Sequence, residues 1–227
     1  MDSKEVYGYE SLLRASNPLE FISPGKLFQV ANQTGLHSLL DRRAREEAIK
    51  AREGKIVPGI KSFINFLPST IYNPDFCLRH TFKIVEKYKI NPADLVFEVV
   101  ETEKILDVDH LKNVLNQYKK EGMKVALDDV GSGFSSLDML ELLQPDYVKI
   151  DRSYISFCDQ DDEKKKFLTE ANERAHSLGI LTLAEGIERV EEFEFCQSLG
   201  YDFAQGYLVG KPDLNPSLNS SWDEIRK

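Results

Sequence analysis

Cysteine and long apolar runs are both scarce in this chain, and each scarcity argues against a class of protein. The three cysteines, Cys77, Cys158 and Cys196, are far apart and form no CxxC pair. This pattern argues against a disulfide framework or a zinc ribbon and indicates a reducing compartment. No run approaches the roughly 18 apolar residues of a membrane span, and the N-terminal MDSKEVYGYE has no apolar signal-peptide core. We therefore expect a cytoplasmic chain without membrane contact.

Basic residues are also in deficit, with 29 lysines and arginines against 38 acidic residues and a formal net charge of −9. Polymeric nucleic acids and anionic membranes bind cationic surfaces, so neither is the expected partner. An anionic small molecule would need local positive charge. The 227 residues, 41% of them hydrophobic, suit a sizeable core, and we predict a single domain over residues 1–227.

Short apolar segments alternate along the chain with longer segments of helical periodicity. Segment 109–122 is typical of the second kind, because its apolar residues repeat every three or four positions and Gly122 ends the pattern. Strands and helices that alternate at intervals of roughly 25–35 residues are typical of βαβ units and a parallel sheet. The predicted strands are 5–13, 60–66, 95–100, 123–128, 146–150, 180–184 and 201–204, and the predicted helices are 36–53, 76–88, 109–122, 136–143, 161–178 and 190–199.

Polar residues mark the carboxyl ends of the predicted strands. In a (β/α)8 barrel these ends converge on one mouth, whereas a doubly wound sheet gathers its site residues at one switch point. Polar residues at nearly every strand end therefore favour the barrel. Because only seven strands are predicted, we expect an α/β fold, a TIM-like (β/α)8 barrel that lacks its first strand and has two unpaired edges. The strand-end residues are Asn65, Glu98, Asp128, Lys149, Glu185 and Gln205.

Acidic side chains dominate the proposed mouth, with Lys149 as the cation among them. Carboxylates gathered away from water are costly unless they take up protons or bind a divalent metal. Their oxygens, together with the amide of Asn65, suit Mg²⁺ or Mn²⁺, and the adjacent Asp128 and Asp129 point in different directions, so that Asp128 could bridge two ions. A two-metal site of this kind suits in-line attack on a phosphodiester. The acids are Glu10, Glu98, Asp128, Asp129 and Glu185.

Each of these signals also has a plainer interpretation. Two aspartates before a glycine-rich turn are common in a solvated βα loop that caps a helix. Glu98 and Glu101 could be ordinary loop acids, and Lys149 could simply pair with Asp151 or a neighbouring glutamate. The residue pattern by itself leaves these interpretations open.

Taken in order over residues 5–212, the motifs resemble those of the EAL-domain family of cyclic-di-GMP phosphodiesterases. YESLLR (9–14) resembles the motif that names the family, and LDDVGSGFSSL (127–137) resembles its signature loop. The remaining residues, 213–227, are predicted to form a C-terminal tail or a short helix. The other matching segments are INF (64–66), FEVVE (97–101), VKID (148–151), AEGIE (184–188) and QGY (205–207).

The resemblance implies a metal-dependent hydrolase that converts cyclic-di-GMP to the linear dinucleotide pGpG and so terminates a bacterial second-messenger signal. Two divalent cations, Mg²⁺ or Mn²⁺, would assist the reaction, in a barrel whose first strands are not all parallel. The family often joins this domain to sensory or cyclase domains, which implies a fused sensory domain in a longer protein. The resemblance leaves open whether the chain forms a homodimer.

The resemblance also implies roles by position. Lys149 would orient or help to deprotonate the attacking water, and Glu185 would be a metal ligand, a general base or both. Arg14 would contact phosphate and Gln205 would contact substrate, while Glu101 would brace the signature loop and Glu188 would support the metal and substrate region. The first ion would be held by Glu10, Asn65, Glu98 and Asp128, and the second by Asp128, Asp129 and Glu185.

Three departures from the family pattern stand out. Ser11 replaces an alanine, which changes one small residue for another, and Val130 replaces a phenylalanine, which would loosen the packing of the signature loop. The usual opening strand, with its substrate-contacting glutamine, is absent. Every metal-site position is filled, which predicts activity, while the absent strand leaves open how well the chain as given turns over substrate.

Two rival functions are weighed against this one. A receptor that binds cyclic-di-GMP without hydrolysing it would have no need of a charged metal cluster that is costly to fold. A Schiff-base aldolase would use Lys149 at a barrel strand end, but it leaves the acidic cluster unexplained. Linear product that disappears with a chelator would favour the hydrolase, and trapping of a substrate on Lys149 by borohydride would favour the aldolase.

Overall fold

The computed structural model of the chain describes residues 1–3, 5–15, 22–99, 107–131 and 137–216. Their strands form one sheet in which every strand pairs in parallel with its neighbour in sequence. A curled, parallel sheet of seven strands with helices on its outside confirms the predicted TIM-like α/β barrel, one strand short of eight. The strands are β1 (Gly8–Glu10), β2 (Lys61–Phe66), β3 (Leu95–Val99), β4 (Lys124–Val130), β5 (Tyr147–Ile150), β6 (Leu181–Ala184) and β7 (Phe203–Ala204).

Helices connect the strands and cover the outer face of the sheet. Short 3-10 helices lie at Pro68–Thr70, Pro92–Asp94 and Cys158–Gln160. The predicted tail or helix at 213–227 lies mostly outside the described residues, as does Glu101. The α-helices are α1 (Pro24–Gln33), α2 (His37–Ala51), α3 (Pro74–Cys77), α4 (Arg79–Lys87), α5 (Val108–Lys120), α6 (Asp138–Leu143), α7 (Arg152–Ile155), α8 (Asp162–Ser177) and α9 (Val190–Ser198).

Two of these helices, α1 and α7, were not predicted, and the predicted helix 76–88 is divided into α3 and α4. Helix α1 buries only Ala31, although Leu27 and Val30 share its helical spacing. Its detectable signal is the Ser23–Pro24 start, at which the Ser23 side chain accepts a hydrogen bond from the Lys26 amide. Helix α3 starts two residues earlier than predicted, because Asn73 caps it by accepting from the Phe76 amide.

The pairing of β1 with β2 is parallel, with Gly8 opposite Lys61 and Glu10 opposite Phe63. The expectation that the first strands are not all parallel is therefore wrong for the described strands. The physical reason lies in the connection: the chain leaves β1, passes through α1 and α2, and returns to the same end of the sheet. A long crossover of this kind joins parallel strands, whereas antiparallel neighbours can be joined by a short turn.

The interior of the barrel is lined by every second strand residue. On β3, Leu95 and Phe97 face the helices, whereas Val96 joins the interior cluster and Glu98 follows on the same face. The two-residue spacing thus carries one polar side chain from each strand to the mouth, above a floor of apolar side chains. The interior residue and its polar successor are Phe63 and Asn65, Val96 and Glu98, Ala126 and Asp128, Tyr147 and Lys149, Leu183 and Glu185, and Phe203 and Gln205.

Strands β1 and β7 are the edges of the sheet, and within the described residues no ladder joins them. Side chains span this seam at two levels. At the floor, the Tyr7 ring stacks on Phe203 with centroids 4.0 Å apart, and the hydroxyls of Tyr7 and Tyr147 are 2.6 Å apart. At the mouth, Gln205 Nε2 donates to Glu10 Oε2 at 2.6 Å. The backbone of the barrel is therefore open, as the strand count predicted, while its interior is closed by side chains.

Replacement of Arg45 by Met on α2 is expected to lower the free energy of unfolding by about 3–5 kcal/mol. Arg45 is 3% exposed, and its Nη2 lies 2.9 Å from Asp41 Oδ2 while its Nη1 donates to Thr81 Oγ1 at 2.9 Å. The substitution would leave the carboxylate of Asp41 buried without a countercharge. Urea unfolding measures the loss. Arg43→Met on the same helix is the matched control, because the Arg43 side chain is 62% exposed and its ion pair contributes about 0–1 kcal/mol. Equal losses in the two variants would contradict the assignment.

Candidate active site

A single buried lysine forms the centre of the mouth. Lys149, on β5, is 1% exposed, and its Nζ lies 2.7 Å from Glu185 Oε1, 2.9 Å from Glu98 Oε1 and 3.1 Å from Asp128 Oδ1. Glu10 Oε2 is slightly farther away, at 3.7 Å. Four carboxylates from four different strand ends therefore converge on one ammonium group, as the barrel prediction requires.

Glu10 is held from both sides by amide side chains. Asn65 Nδ2 donates to Glu10 Oε1 at 2.9 Å, and Gln205 Nε2 donates to Glu10 Oε2 at 2.6 Å. Because Asn65 lies on β2 and Gln205 follows β7, these two bonds fix Glu10 across the open seam. The amide oxygen of Asn65 is buried and receives no hydrogen bond from the described residues, so Asn65 can donate to one carboxylate and still offer an oxygen ligand.

Burial and nearby charges affect the pKa values of Lys149 and of the acids around it to different extents. Burial alone would lower the pKa of Lys149, but the four surrounding carboxylates outweigh it and hold that pKa well above its usual value. For Glu98, burial dominates and raises the pKa well above the usual value despite the nearby Lys149 ammonium. For Glu10, burial also acts to raise the pKa, but Lys149 and the bonds from Gln205 and Asn65 lower it overall. The site thus contains more acid than one lysine neutralises.

Glu185 and Asp129 show the same excess of negative charge. Burial raises the pKa of Glu185 to about 8 against the opposing effect of Lys149. Burial and the neighbouring Asp128 carboxylate raise the pKa of Asp129 to about 6. In both residues, burial disfavours the ionised carboxylate. A bound cation would stabilise that ionised form.

An irregularity in β4 separates the two aspartates. β4 was predicted to end at Asp128, but it runs to Val130, and its register against β5 shifts between Leu127 and Val130. Asp129 adopts a φ of 53°, which is uncommon for a residue other than glycine, and its amide lies 3.1 Å from Asp128 Oδ1. Bulges of this kind re-aim side chains near active sites. Here the bulge brings both neighbouring aspartates to the mouth rather than to opposite faces.

Asp128, Asp129 and Glu185 each place one carboxylate oxygen within 4.8 Å of the others, and we call these residues the three-carboxylate cluster. Beside it lie buried acceptors for which the described residues provide no hydrogen-bond donor, namely Asn65 Oδ1 and Glu98 Oε2. Buried acceptors are normally satisfied, and oxygen donors of this kind suit hard divalent cations. The residues present therefore fit Mg²⁺ or Mn²⁺.

The remaining predicted site residues are exposed or lie outside the described residues. Arg14 is exposed, and its Nη1 donates to the Leu13 carbonyl, so the structure does not bring it into the Lys149 cluster. Glu188 lies three residues beyond Glu185, and its Oε1 pairs with Arg152 Nη2 at 2.9 Å. The sequence prediction missed Arg152, whose only signal is an arginine directly after VKID.

No helix within the described ranges is both long and apolar enough to cross a bilayer. Together, the fold and this site define an α/β barrel protein with an acidic centre at the carboxyl ends of its strands. The sequence matches the family model described as "EAL domain" over residues 1–212. The chain belongs to the EAL-domain family.

Comparison with known proteins gives the same family. The chain is 31% identical over 219 residues to cyclic di-GMP phosphodiesterase PdeF of Escherichia coli K12, an alignment that covers 95% of this chain but 29% of PdeF. Among solved structures, a standalone versatile EAL protein from Vibrio cholerae O395 in its c-di-GMP-bound form has a TM-score of 0.83 and 32% identity, with 93% of this chain and 87% of that chain covered. Klebsiella pneumoniae BlrP1 with manganese and cy-diGMP at pH 9.0 has a TM-score of 0.81 and 28% identity, with 93% and 53% covered.

Proposed function

We propose that the chain hydrolyses cyclic-di-GMP to linear pGpG with the help of two divalent cations, Mg²⁺ or Mn²⁺. The observation that carries this proposal is the convergence of four carboxylates on the buried Lys149, with the three-carboxylate cluster beside it. Five acids and one lysine have a formal charge of −4, which two divalent ions would neutralise. The named activity of PdeF and the c-di-GMP bound to the Vibrio cholerae EAL protein support the choice of substrate.

The site residues would have the following roles. Glu10, Asn65, Glu98 and Asp128 would hold one ion, and Asp128, Asp129 and Glu185 the other. When bound, the ions would activate water and stabilise the charge that develops on the phosphoryl oxygens. The chain itself would hold the ligands in place from separate strand ends, bind one phosphate through Arg14, and bind substrate through Gln205.

Lys149 would act mainly as a hydrogen-bond donor. Its Nζ lies within hydrogen-bond distance of Glu98, Asp128 and Glu185, which supports a role in orienting the attacking water rather than in removing its proton. Glu185, which contacts Lys149 at 2.7 Å, would serve as a ligand and could accept that proton. We propose that Glu188 supports this side of the mouth through Arg152 and that Glu101 braces the signature loop.

The chain spans less than a third of the length of PdeF, so the setting in which it works is a further part of the proposal. We propose that it acts in the cytoplasm as the output domain of a signalling protein that carries a sensory domain. Residues 1–227 would supply the chemistry, and the other domains of that protein, together with any homodimer, would control the rate.

Incubation of the chain with cyclic-di-GMP and Mn²⁺ is expected to yield pGpG, detected by anion-exchange chromatography. Addition of EDTA should stop product formation, and re-addition of Mn²⁺ or Mg²⁺ should restore it. Binding of the nucleotide without linear product would support the receptor instead. Product formation that persists in EDTA would contradict the metal-dependent mechanism.

A further inference from the structure

The short helix α7 lies between the two loops that carry the three-carboxylate cluster. One loop begins after Asp128 and Asp129 and contains Gly131, and the other begins after Glu185 and contains Gly186. Helix α7 follows β5, the strand of Lys149, after a single residue, Asp151. Its side chains contact both glycines, so α7 connects the loops that an ion bound at the cluster would have to join.

Tyr154 covers the first loop. A methyl group built on Gly131 would lie 2.7 Å from Tyr154 Cδ2 and Cε2 and 3.0 Å from Phe167 Cζ, so the two rings press directly on the backbone of that residue. Tyr154 and Phe167 stack with centroids 3.9 Å apart, which supports the Tyr154 ring from the side of α8. The φ of Gly131 is 105°, and a larger residue there would meet both backbone strain and the Tyr154 ring.

Arg152 covers the second loop. A methyl group built on Gly186 would lie 2.5–2.8 Å from Cβ, Cγ and Cδ of Arg152, which shows that the methylenes of Arg152 lie flat against this glycine. Beyond Gly186, Arg152 Nη2 reaches Glu188 Oε1 at 2.9 Å. Arg152 therefore covers the three residues that follow Glu185, through packing at one end and an ion pair at the other.

Helix α7 is itself firmly anchored, although it has only four residues. The Asp151 side chain caps it by accepting from the Ser153 amide at 3.0 Å, and the Asp151 amide donates to the Val130 carbonyl at 3.1 Å. Ile155 is fully buried in the core. A rigid element fixed to the end of β4 in this way can set the distance between the two loops.

We propose that Arg152 and Tyr154 are positioning residues that set the spacing of Asp128 and Asp129 relative to Glu185. Each of the two residues contacts a glycine that follows a member of the three-carboxylate cluster, and each acts through that glycine. The proposal rests on the proposed function only in taking the cluster as a metal site. Residues that orient metal ligands typically contribute roughly 10–100-fold to metal affinity, which sets the size of the expected effect.

Mn²⁺ titration of the purified chain, followed by calorimetry and by the electron paramagnetic resonance signal of free Mn²⁺, tests the proposal. Tyr154→Ala and Arg152→Ala are expected to weaken Mn²⁺ binding by roughly 10–100-fold each. Tyr154→Phe retains the ring and Arg152→Met retains the methylenes, so both should bind Mn²⁺ within about threefold of the unsubstituted chain, well below that loss. Full loss in the conservative variants would overturn the packing argument.

Phe82→Ala is the control for a merely structural effect, because Phe82 packs on the core from α4 and contacts Tyr118 rather than α7. Thermal melting without metal should show comparable destabilisation of Phe82→Ala and Tyr154→Ala, but only Tyr154→Ala should lose Mn²⁺ affinity. Equal loss of affinity in both would overturn the proposal, as would unchanged affinity in Tyr154→Ala and Arg152→Ala.

Kinetics provide a second readout for a chain that hydrolyses cyclic-di-GMP. The Mn²⁺ concentration needed for half-maximal rate should rise in Tyr154→Ala and Arg152→Ala, while KM for the nucleotide at saturating Mn²⁺ stays close to that of the unsubstituted chain. A chain that binds Mn²⁺ but forms no product would refute the proposed function and still test the positioning role. A chain that binds no Mn²⁺ would overturn both.

Discussion

Asp128→Asn is expected to lower the rate of cyclic-di-GMP hydrolysis by at least about 100-fold, since the loss of residues that merely orient metal ligands already costs roughly 10–100-fold. Asp128 is the acid assigned to both ions. It contacts Lys149, and it is a member of the three-carboxylate cluster. The substitution keeps the size of the side chain and removes its charge. The measurement is the steady-state rate of pGpG formation at saturating Mn²⁺.

The fold should survive this substitution. The Asp128 carboxylate raises the pKa values of Glu98, Asp129 and Glu185, so its removal relieves repulsion in the metal-free protein. The melting temperature in EDTA should therefore be equal to or higher than that of the unsubstituted chain. Asp162→Asn makes the same change at a side chain that is 96% exposed on α8, and it should leave both rate and stability unchanged. Full activity in Asp128→Asn would refute the assignment of this site.

Lys149→Met is expected to make the stability of the fold depend on divalent metal. The substitution leaves Glu98, which is 0% exposed, among other acids without a countercharge, and breaking a buried pair in this way costs about 3–5 kcal/mol. For a chain of this length that corresponds to a fall in melting temperature of roughly 6–20 °C in EDTA. Mn²⁺ should restore more of the loss in Lys149→Met than it adds to the unsubstituted chain, because the ions replace the missing positive charge.

Two further measurements make this prediction sharp. The double variant Lys149→Met with Glu98→Gln should recover stability in EDTA without recovering activity, because the buried charge is removed together with its partner.

The pKa of Glu185, about 8 in the folded protein, lies above its ordinary value, so its contribution to stability is present at low pH and is lost as pH rises towards 8. Lys149 lowers the pKa of Glu185, so without Lys149 that loss should extend to higher pH. An unchanged melting temperature of Lys149→Met in EDTA would contradict the central role of this lysine.

The local pattern of the sequence predicted more of the site than of the helices. All seven strands were found because they are short, apolar and bounded by polar or glycine-containing segments. Alternation along each strand then placed a residue such as Glu98 two positions beyond Val96 and on the same face. Helix α1 was missed although Leu27, Val30 and Ala31 recur at helical spacing, and α7 was missed because four residues are too few to show a helical period.

The sequence did not predict the individual side-chain contacts between distant segments. The strand-end positions predicted that Lys149 would lie among acids, but they did not show that four of these acids contact it or that Gln205 holds Glu10 across the seam. The bulge in β4 was also unforeseen, because it depends on the register of β4 against β5 rather than on the residues of β4 alone. Arg152 drew no attention for the same reason, since its importance comes from Gly186, which lies 34 positions away.

By itself, the sequence determined that short parallel strands would alternate with helices, that one strand would be missing from an eight-stranded count, and that acids would stand at the strand ends. Only the tertiary structure decided that these acids share one buried lysine and that α7 lies between two of their loops. The physical reason is how far apart in the chain the interacting residues lie. Alternation and helical periodicity are set by neighbouring residues, whereas the pKa of a buried acid and the spacing of a metal site depend on atoms that the closing of the barrel brings together.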